Sequence, residues 1–315
     1  MTKIEPVSLV IGVILLSQTM VGVMGNFFLL YHYLFIYHTK SKLRCIELIL
    51  KHILIANSLL ILSTGLPQTM VAFGLKNSLN DFVCKIIFYV ERVGRGMSIG
   101  TICLLSIFQT VTISPMNACC KDLKIKAPKY VEFSIYLCWF VHMVVNFIFP
   151  LYLLYVSGRL SSKNITKERK IRFCTHTDLG TILGPIYVVL VAFPEVACSV
   201  LMISASSYMI FTLYQHKQRV QHIHRTNVFF RSPESRATKS ILLLVGTFVS
   251  FYSLSSLFNI SIALFPQAYG RLVIISDIVS VCFPTISPFL LISQDSSISR
   301  PCLIWIRNAL SIYKK

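Results

Sequence analysis

Five ionisable residues stand inside stretches of chain otherwise almost free of charge: Glu91, Arg92 and Arg95 in the run Ile86–Ile113, Glu195 in Ile182–Leu213, and Asp277 in Leu272–Ser293. An ion at the centre of a bilayer costs on the order of 3 kcal/mol, so such residues face partners or a wet cavity and mark a ligand or ion site. Glu91 and Arg95 are four apart in the favourable acid-first order for one helix face, and Arg92 has two acids, Asp277 and Glu195, to pair with across a bundle. The functional reading is a ligand site among the segments carrying these charges, the third, fifth and seventh apolar runs, with Tyr89, His142, Asn146 and Tyr187 adding directional hydrogen bonds. The structural alternative is a set of ion pairs that leaves recognition to shape and apolar contact. Other chemistries lack their residues. There is no His-Glu-x-x-His, nucleophile elbow or phosphate loop, so no enzyme is expected. His222 and His224 have no nearby carboxylate or thiolate, so neither a metal nor a cofactor is assigned.

The elements that must position these residues follow from composition. Of 315 residues 55% are hydrophobic, and the 13% that are charged are half of what a soluble domain carries, which is roughly 25%. Crossing the hydrocarbon core takes about 20 apolar residues. The sequence offers seven such runs, at Val7–Ile36, Ile53–Phe73, Ile86–Ile113, Phe133–Leu154, Ile182–Leu213, Ile241–Phe265 and Leu272–Ser293. With their flanks they predict helical spans at about 7–36, 46–73, 85–113, 131–154, 182–213, 237–265 and 272–293, with a short tail at 294–315. The expectation is an all-α membrane protein, one seven-helix receptor-type domain over 1–315. The first run has only Lys3 ahead of it and outlasts a signal-peptide core, so it is read as a retained span.

Basic residues set the orientation through the positive-inside rule. Of thirty Lys and Arg, eighteen follow the first, third, fifth and seventh spans, ten lie on the opposite side, and Arg92 and Arg95 are within the third span. The amino terminus is therefore expected outside and the tail in the cytoplasm. The net charge of +18 sits in loops flanking apolar spans, which topology and anionic lipid explain without nucleic acid.

Disulfides persist only on the oxidising side. Of ten cysteines two fall there, Cys84 at the outer end of the third span and Cys174 in the long outer loop, so one bridge would tie the loop over the bundle mouth. The same loop holds Asn164-Ile165-Thr166, a glycosylation acceptor. Cys302, beyond the last span, is a palmitoylation candidate weighed against an ordinary free thiol.

Prolines at Pro67, Pro150, Pro185, Pro194, Pro284 and Pro288 fall within or beside the spans as hinge candidates. Ser232-Pro233-Glu234 reads as a helix start, which puts the beginning of the sixth helix in the cytoplasm. The fifth helix is expected to run on below the membrane through the basic run His216–His224, and with the sixth it makes a cationic surface in which Lys217 and Arg219 are G-protein-coupling candidates, joined by Lys124 and Lys126 of the loop after the third span.

Specific strings go further than hydropathy. Leu66-Pro67-Gln68-Thr69-Met70, Phe73-Gly74-Leu75-Lys76-Asn77 with Asp81-Phe82-Val83-Cys84-Lys85, and Cys103-Leu104-Leu105-Ser106-Ile107-Phe108-Gln109 with Thr112-Ile113-Ser114-Pro115 are three of them. Leu123-Lys124-Ile125-Lys126-Ala127-Pro128-Lys129-Tyr130, Ser232-Pro233-Glu234-Ser235-Arg236-Ala237-Thr238 and Cys282-Phe283-Pro284-Thr285-Ile286-Ser287-Pro288-Phe289 continue the series. In this order and spacing, from the second span to the seventh, the chain resembles the vomeronasal type 1 receptors, pheromone-sensing G-protein-coupled receptors. The resemblance implies a plasma-membrane chemosensory receptor whose partners are a small semiochemical and a heterotrimeric G protein of the inhibitory class. The acidic-Arg-Tyr motif that ends the third helix in rhodopsin-like receptors is absent, replaced by Phe108–Pro115, so the usual ionic lock has no residues here. Asn117-Ala118-Cys119-Cys120, Ile203 and Ser207 depart from the family pattern and bear on local packing. A bitter-taste-like chemoreceptor is the runner-up, and a small-solute transporter the more distant alternative, since an odd number of spans without paired halves suits repeat-built transporters poorly. No string specifies an oligomeric state.

Overall fold

The computed structural model describes residues 6–37, 44–74, 80–114, 129–147, 168–171, 174–177, 183–223, 233–264 and 269–294. They form seven helices and one hairpin: α1 (Pro6–Tyr37), α2 (Arg44–Ala72), α3 (Asp81–Ile113), α4 (Lys129–Phe147), β1 (Glu168–Ile171), β2 (Cys174–Thr177), α5 (Leu183–Ile223), α6 (Pro233–Leu264) and α7 (Tyr269–Gln294). Six of the helices carry apolar stretches long enough to cross a membrane, and α6 carries a shorter one, Leu242–Phe258. α5 runs ten residues past the span expected from hydropathy, and α6 starts on Pro233, whose missing N–H costs nothing in a first turn. The strands pair antiparallel with Ile171 opposite Cys174, and β2 packs on α3.

Apolar residues cannot drive helices together when the solvent is itself hydrocarbon, so close backbone approach and interhelical hydrogen bonds must do it. Glycine supplies the first. A Cβ on Gly94 would lie 3.1 Å from the backbone nitrogen of Leu60, and one on Gly96 or Gly100 would run into His142 or Cys138, so α3 meets α2 on one side and α4 on the other through missing side chains. Replacing Gly96 with leucine is expected to cut surface expression severalfold, since the His142 ring has to leave its seat. Gly246, where an added Cβ would meet nothing within 4 Å, should accept leucine with little change. Surface labelling of the two variants side by side checks this.

A chain of side-chain hydrogen bonds supplies the second. Ser98 of α3 donates to Asn57 Oδ1 (3.0 Å), and Asn57 Nδ2 of α2 donates to Ser287 Oγ of α7 (2.9 Å). Proline has no N–H, so Pro288 leaves the Pro284 carbonyl, four residues earlier, without its helical partner. Asn26 Nδ2 of α1 takes that carbonyl at 2.9 Å, with Ser287 Oγ 3.4 Å away. Four helices are thus tied by polar groups that hydrocarbon cannot satisfy. α4 joins through Trp139 Nε1 donating to His52 Nδ1 (3.1 Å), and α5 joins α3 through Ser114 and Tyr208, whose hydroxyls are 3.1 Å apart.

The outer surface is the inverse of a soluble protein's. Phe27, Phe28 and Phe35 of α1, Phe133, Phe140 and Phe147 of α4, and Phe193, Ile203 and Phe211 of α5 are all exposed. Of the apolar stretches, 61% of α3 is buried but only 17% of α4 and 11% of α5, so α3 is the axis of the bundle and α4 and α5 are its flank. The core about α3 is built from Leu29, Ile49, Ile53, Leu54, Ile102, Phe248 and Phe283.

Candidate functional site

The charges of α3 separate because successive helical residues point about 100° apart. Glu91 and Arg95, one turn from each other, are both buried, while Arg92 is exposed on the flank. At 1.5 Å per residue Arg92 lies about 12 Å along α3 from Cys84, in the half of the bundle that carries the Cys84 end of the helix. It lines a cleft whose floor is Gly96 and whose walls are Val141, His142, Val145 and Asn146 of α4 and Pro194 and Glu195 of α5. The cleft holds about 20 Å³ of free volume, room for roughly one water.

Arg92 and Glu195 therefore reach one site, between α3, α4 and α5. Among the described residues neither charged head has a hydrogen bond or an ion pair, so the cleft presents both to an occupant. Asn146 donates its amide to the His142 carbonyl (2.8 Å), and its Oδ1, buried, has no hydrogen-bond partner among the described residues. His142 is held against Gly96 and so forms the inner wall.

The other charges go elsewhere. Asp277 accepts a hydrogen bond from Gln68 Nε2 on the α2 side of the bundle and is only 1% exposed. It does not line the cleft, so the structure brings Arg92 and Glu195 of the expected site residues together there and leaves Asp277 of α7 apart from them. Arg95 is not among the residues that line the cleft, and its guanidinium lies 5.7 Å from the centroid of the Tyr252 ring on α6. Tyr252 stacks on Phe248 (4.1 Å between centroids), and Phe248 meets Phe283 edge to face at 4.9 Å, next to the kink-forming Pro284. Sequence reasoning named Asn146 and His142 but missed Tyr252 and Gly96. Aromatic residues are too common in this chain for one on α6 to stand out, and a glycine signals close approach only when its neighbour is known.

Cys84 is buried and disulfide-bonded. β2, which opens on Cys174, packs against the same helix. Asn164, Lys124, Lys126 and Cys302 lie outside the described residues, and Lys217 and Arg219 are on the last turns of α5.

Seven helices with an apolar exterior, a polar seam through α1, α2, α3 and α7, and a cleft carrying opposite charges define an all-α membrane bundle of the G-protein-coupled receptor type. Residues 9–304 match the family described as the vomeronasal organ pheromone receptor family. Vomeronasal type-1 receptor 4 of Homo sapiens is 50% identical over 294 residues, covering 93% of this chain and 97% of that protein. Vomeronasal type-1 receptor 3 of Homo sapiens is 48% identical over 292 residues, 92% of each chain, and olfactory receptor class A-like protein 1 of Danio rerio is 28% identical over 291 residues, 90% of this chain and 89% of that one. The chain belongs to the vomeronasal pheromone receptor family. It is a multi-pass membrane protein and a chemosensory receptor, of a family of receptors and not of enzymes.

Proposed function

We propose that this receptor detects pheromones or related small semiochemicals at the α3–α4–α5 cleft and passes the signal to a heterotrimeric G protein of the inhibitory class. The observation that supports the site is that Arg92 and Glu195 line one cleft, neither charged head bonded among the described residues. In this reading the whole chain, 1–315, is one receptor domain in the plasma membrane, with the amino terminus outside and the bridge from Cys84 closing on Cys174. The Asn164 glycan lies on the same outer side. The coupling surface is cytoplasmic, with Lys217 and Arg219 on α5 and Lys124 and Lys126 in the loop after α3. The route between the two is supported by the contacts around Arg95: a ligand that shifts α3 against α5 moves the cation on Tyr252, and the Phe248–Phe283 contact joins α6 to the proline-kinked α7.

The test uses an agonist isolated by calcium response from fractionated urine and secretions. Arg92→Gln and Glu195→Gln should each weaken potency about tenfold or more, because hydrogen bonds to charged groups contribute roughly 1.5–3 kcal/mol. Surface level should hold, since neither head is bonded within the described bundle. Phe193→Leu on the lipid-facing side of α5 should leave potency alone. Unchanged potency in both charge variants would remove the ligand from this cleft.

A further inference from the structure

The cleft is electrically balanced, narrow and open sideways. Arg92 and Glu195 cancel in formal charge, so a net anion would meet the Glu195 carboxylate and a net cation the Arg92 guanidinium, each in a medium that screens little. A zwitterion would match both, but it would have to shed its hydration in hydrocarbon to arrive from the side. Asn146, 4% exposed, adds a buried acceptor, Oδ1, with no donor among the described residues. The opening lies on the flank of the bundle: Arg92 and Val141 are exposed on its rim, beside Phe140 and Val144 of α4 and Phe193 and Val196 of α5, which face outward as well. The free volume of about 20 Å³ accepts a small polar group and no more, so the rest of any occupant must lie outside, along the apolar surfaces of α4 and α5.

Building on the ligand-site reading above, we propose that the occupant is a net-neutral amphiphile that reaches the cleft through the bilayer between α4 and α5. Its head is a hydroxyl that donates to Glu195 or Asn146 Oδ1 and accepts from Arg92, and its apolar body packs along the outer faces of α4 and α5. An exogenous long-chain alcohol and a membrane sterol share this head chemistry.

The purified full-length receptor in lipid nanodiscs is exposed to four diazirine-bearing probes at equal mole fraction: a long-chain alcohol, the matched carboxylic acid, the matched primary amine, and a sterol. After irradiation, labelled peptides are mapped. The alcohol or the sterol should label the segments 140–146 and 193–197 about tenfold or more above the acid and the amine, the discrimination that a hydrogen bond to a charged group supplies. Preference for the alcohol assigns the site to exogenous ligands, and preference for the sterol assigns it to the membrane. Labelling at Phe27 and Phe28 of α1, plain lipid-facing positions, should not distinguish the probes. Arg92→Gln and Glu195→Gln should each erase the selectivity at α4 and α5. Equal labelling by all four probes, or a preference for the acid or the amine, overturns the proposal. Labelling reports occupancy without signalling, so a failure here is separable from an unchanged agonist potency, which would strike the receptor-site reading alone.

Discussion

Replacing Cys84 with serine is expected to lower surface expression at least tenfold, with the protein retained inside the cell. Cys84 sits in the first turn of α3, the helix that touches most of the bundle, and it is disulfide-bonded. Losing a native bridge costs about 2–5 kcal/mol in small extracellular domains, and stability losses of this size change cellular abundance severalfold or more. The strands β1 and β2 have four residues each, and β2 packs on α3, the helix that carries Cys84. If Cys174 is the partner, Cys174→Ser should match Cys84→Ser, and the double variant should be no worse than either, because both changes remove the same bond. Surface labelling with non-reducing peptide mapping reads all three. Normal surface delivery of Cys174→Ser would show that the outer loop is held by something else.

The second large effect is expected at Gln68. Its amide donates to the Asp277 carboxylate where water is excluded, and a hydrogen bond to a charged group contributes about 1.5–3 kcal/mol. Gln68→Leu takes one donor from a carboxylate that is 1% exposed, and the change should reduce surface level by roughly tenfold and lower the melting temperature of the solubilised receptor. Adding Asp277→Asn should restore much of the loss, since a neutral amide needs less from its surroundings than an ion. Agonist potency per surface receptor should remain the same throughout, because Asp277 does not line the cleft. A selective loss of potency in Asp277→Asn, with expression intact, would instead make the α2–α7 side part of the ligand site.

The contrast between Asp277 and Arg92 shows what the sequence could reveal about this molecule. Both stand out as charges within apolar runs, and the runs themselves locate the helices closely, because the cost of charge in hydrocarbon is local and additive along the chain. Which way each charge points depends on the rotation of its helix about its own axis. Hydropathy leaves that open on a helix such as α3, where nearly every face meets protein. Glu91 and Arg92 are neighbours in sequence yet one is buried and the other exposed, and no pattern in the flanking residues separates them. The extension of α5 past its apolar run was legible in the residues instead: Gln215–Ile223 is invisible to an apolar count, but it has no proline or glycine to stop a helix, and α5 continues to Ile223 along the basic run expected to carry it. The hairpin was read as irregular loop because two four-residue strands lie below the length at which alternation is informative.

The absence of an acidic-Arg-Tyr motif has a structural counterpart at the C-terminal end of α3. There the Ser114–Tyr208 contact and the Thr110 hydroxyl, 3.4 Å from the Ala205 carbonyl, join α3 to α5 by neutral groups. Neither contact involves an ion, so no charge has to be unpaired there for α5 to move against α3.

The central claim, that a ligand in the α3–α4–α5 cleft sets the state of the cytoplasmic surface, is tested most directly by guanine nucleotide exchange. Purified receptor is placed in lipid nanodiscs with an inhibitory-class heterotrimer and titrated with an agonist isolated from the secretion screen. The account predicts agonist-dependent exchange several times the basal rate, lost when Lys217 and Arg219 are both changed to glutamine, and shifted to higher agonist concentration in Arg92→Gln. Saturable agonist binding with exchange that stays at the basal rate would contradict it.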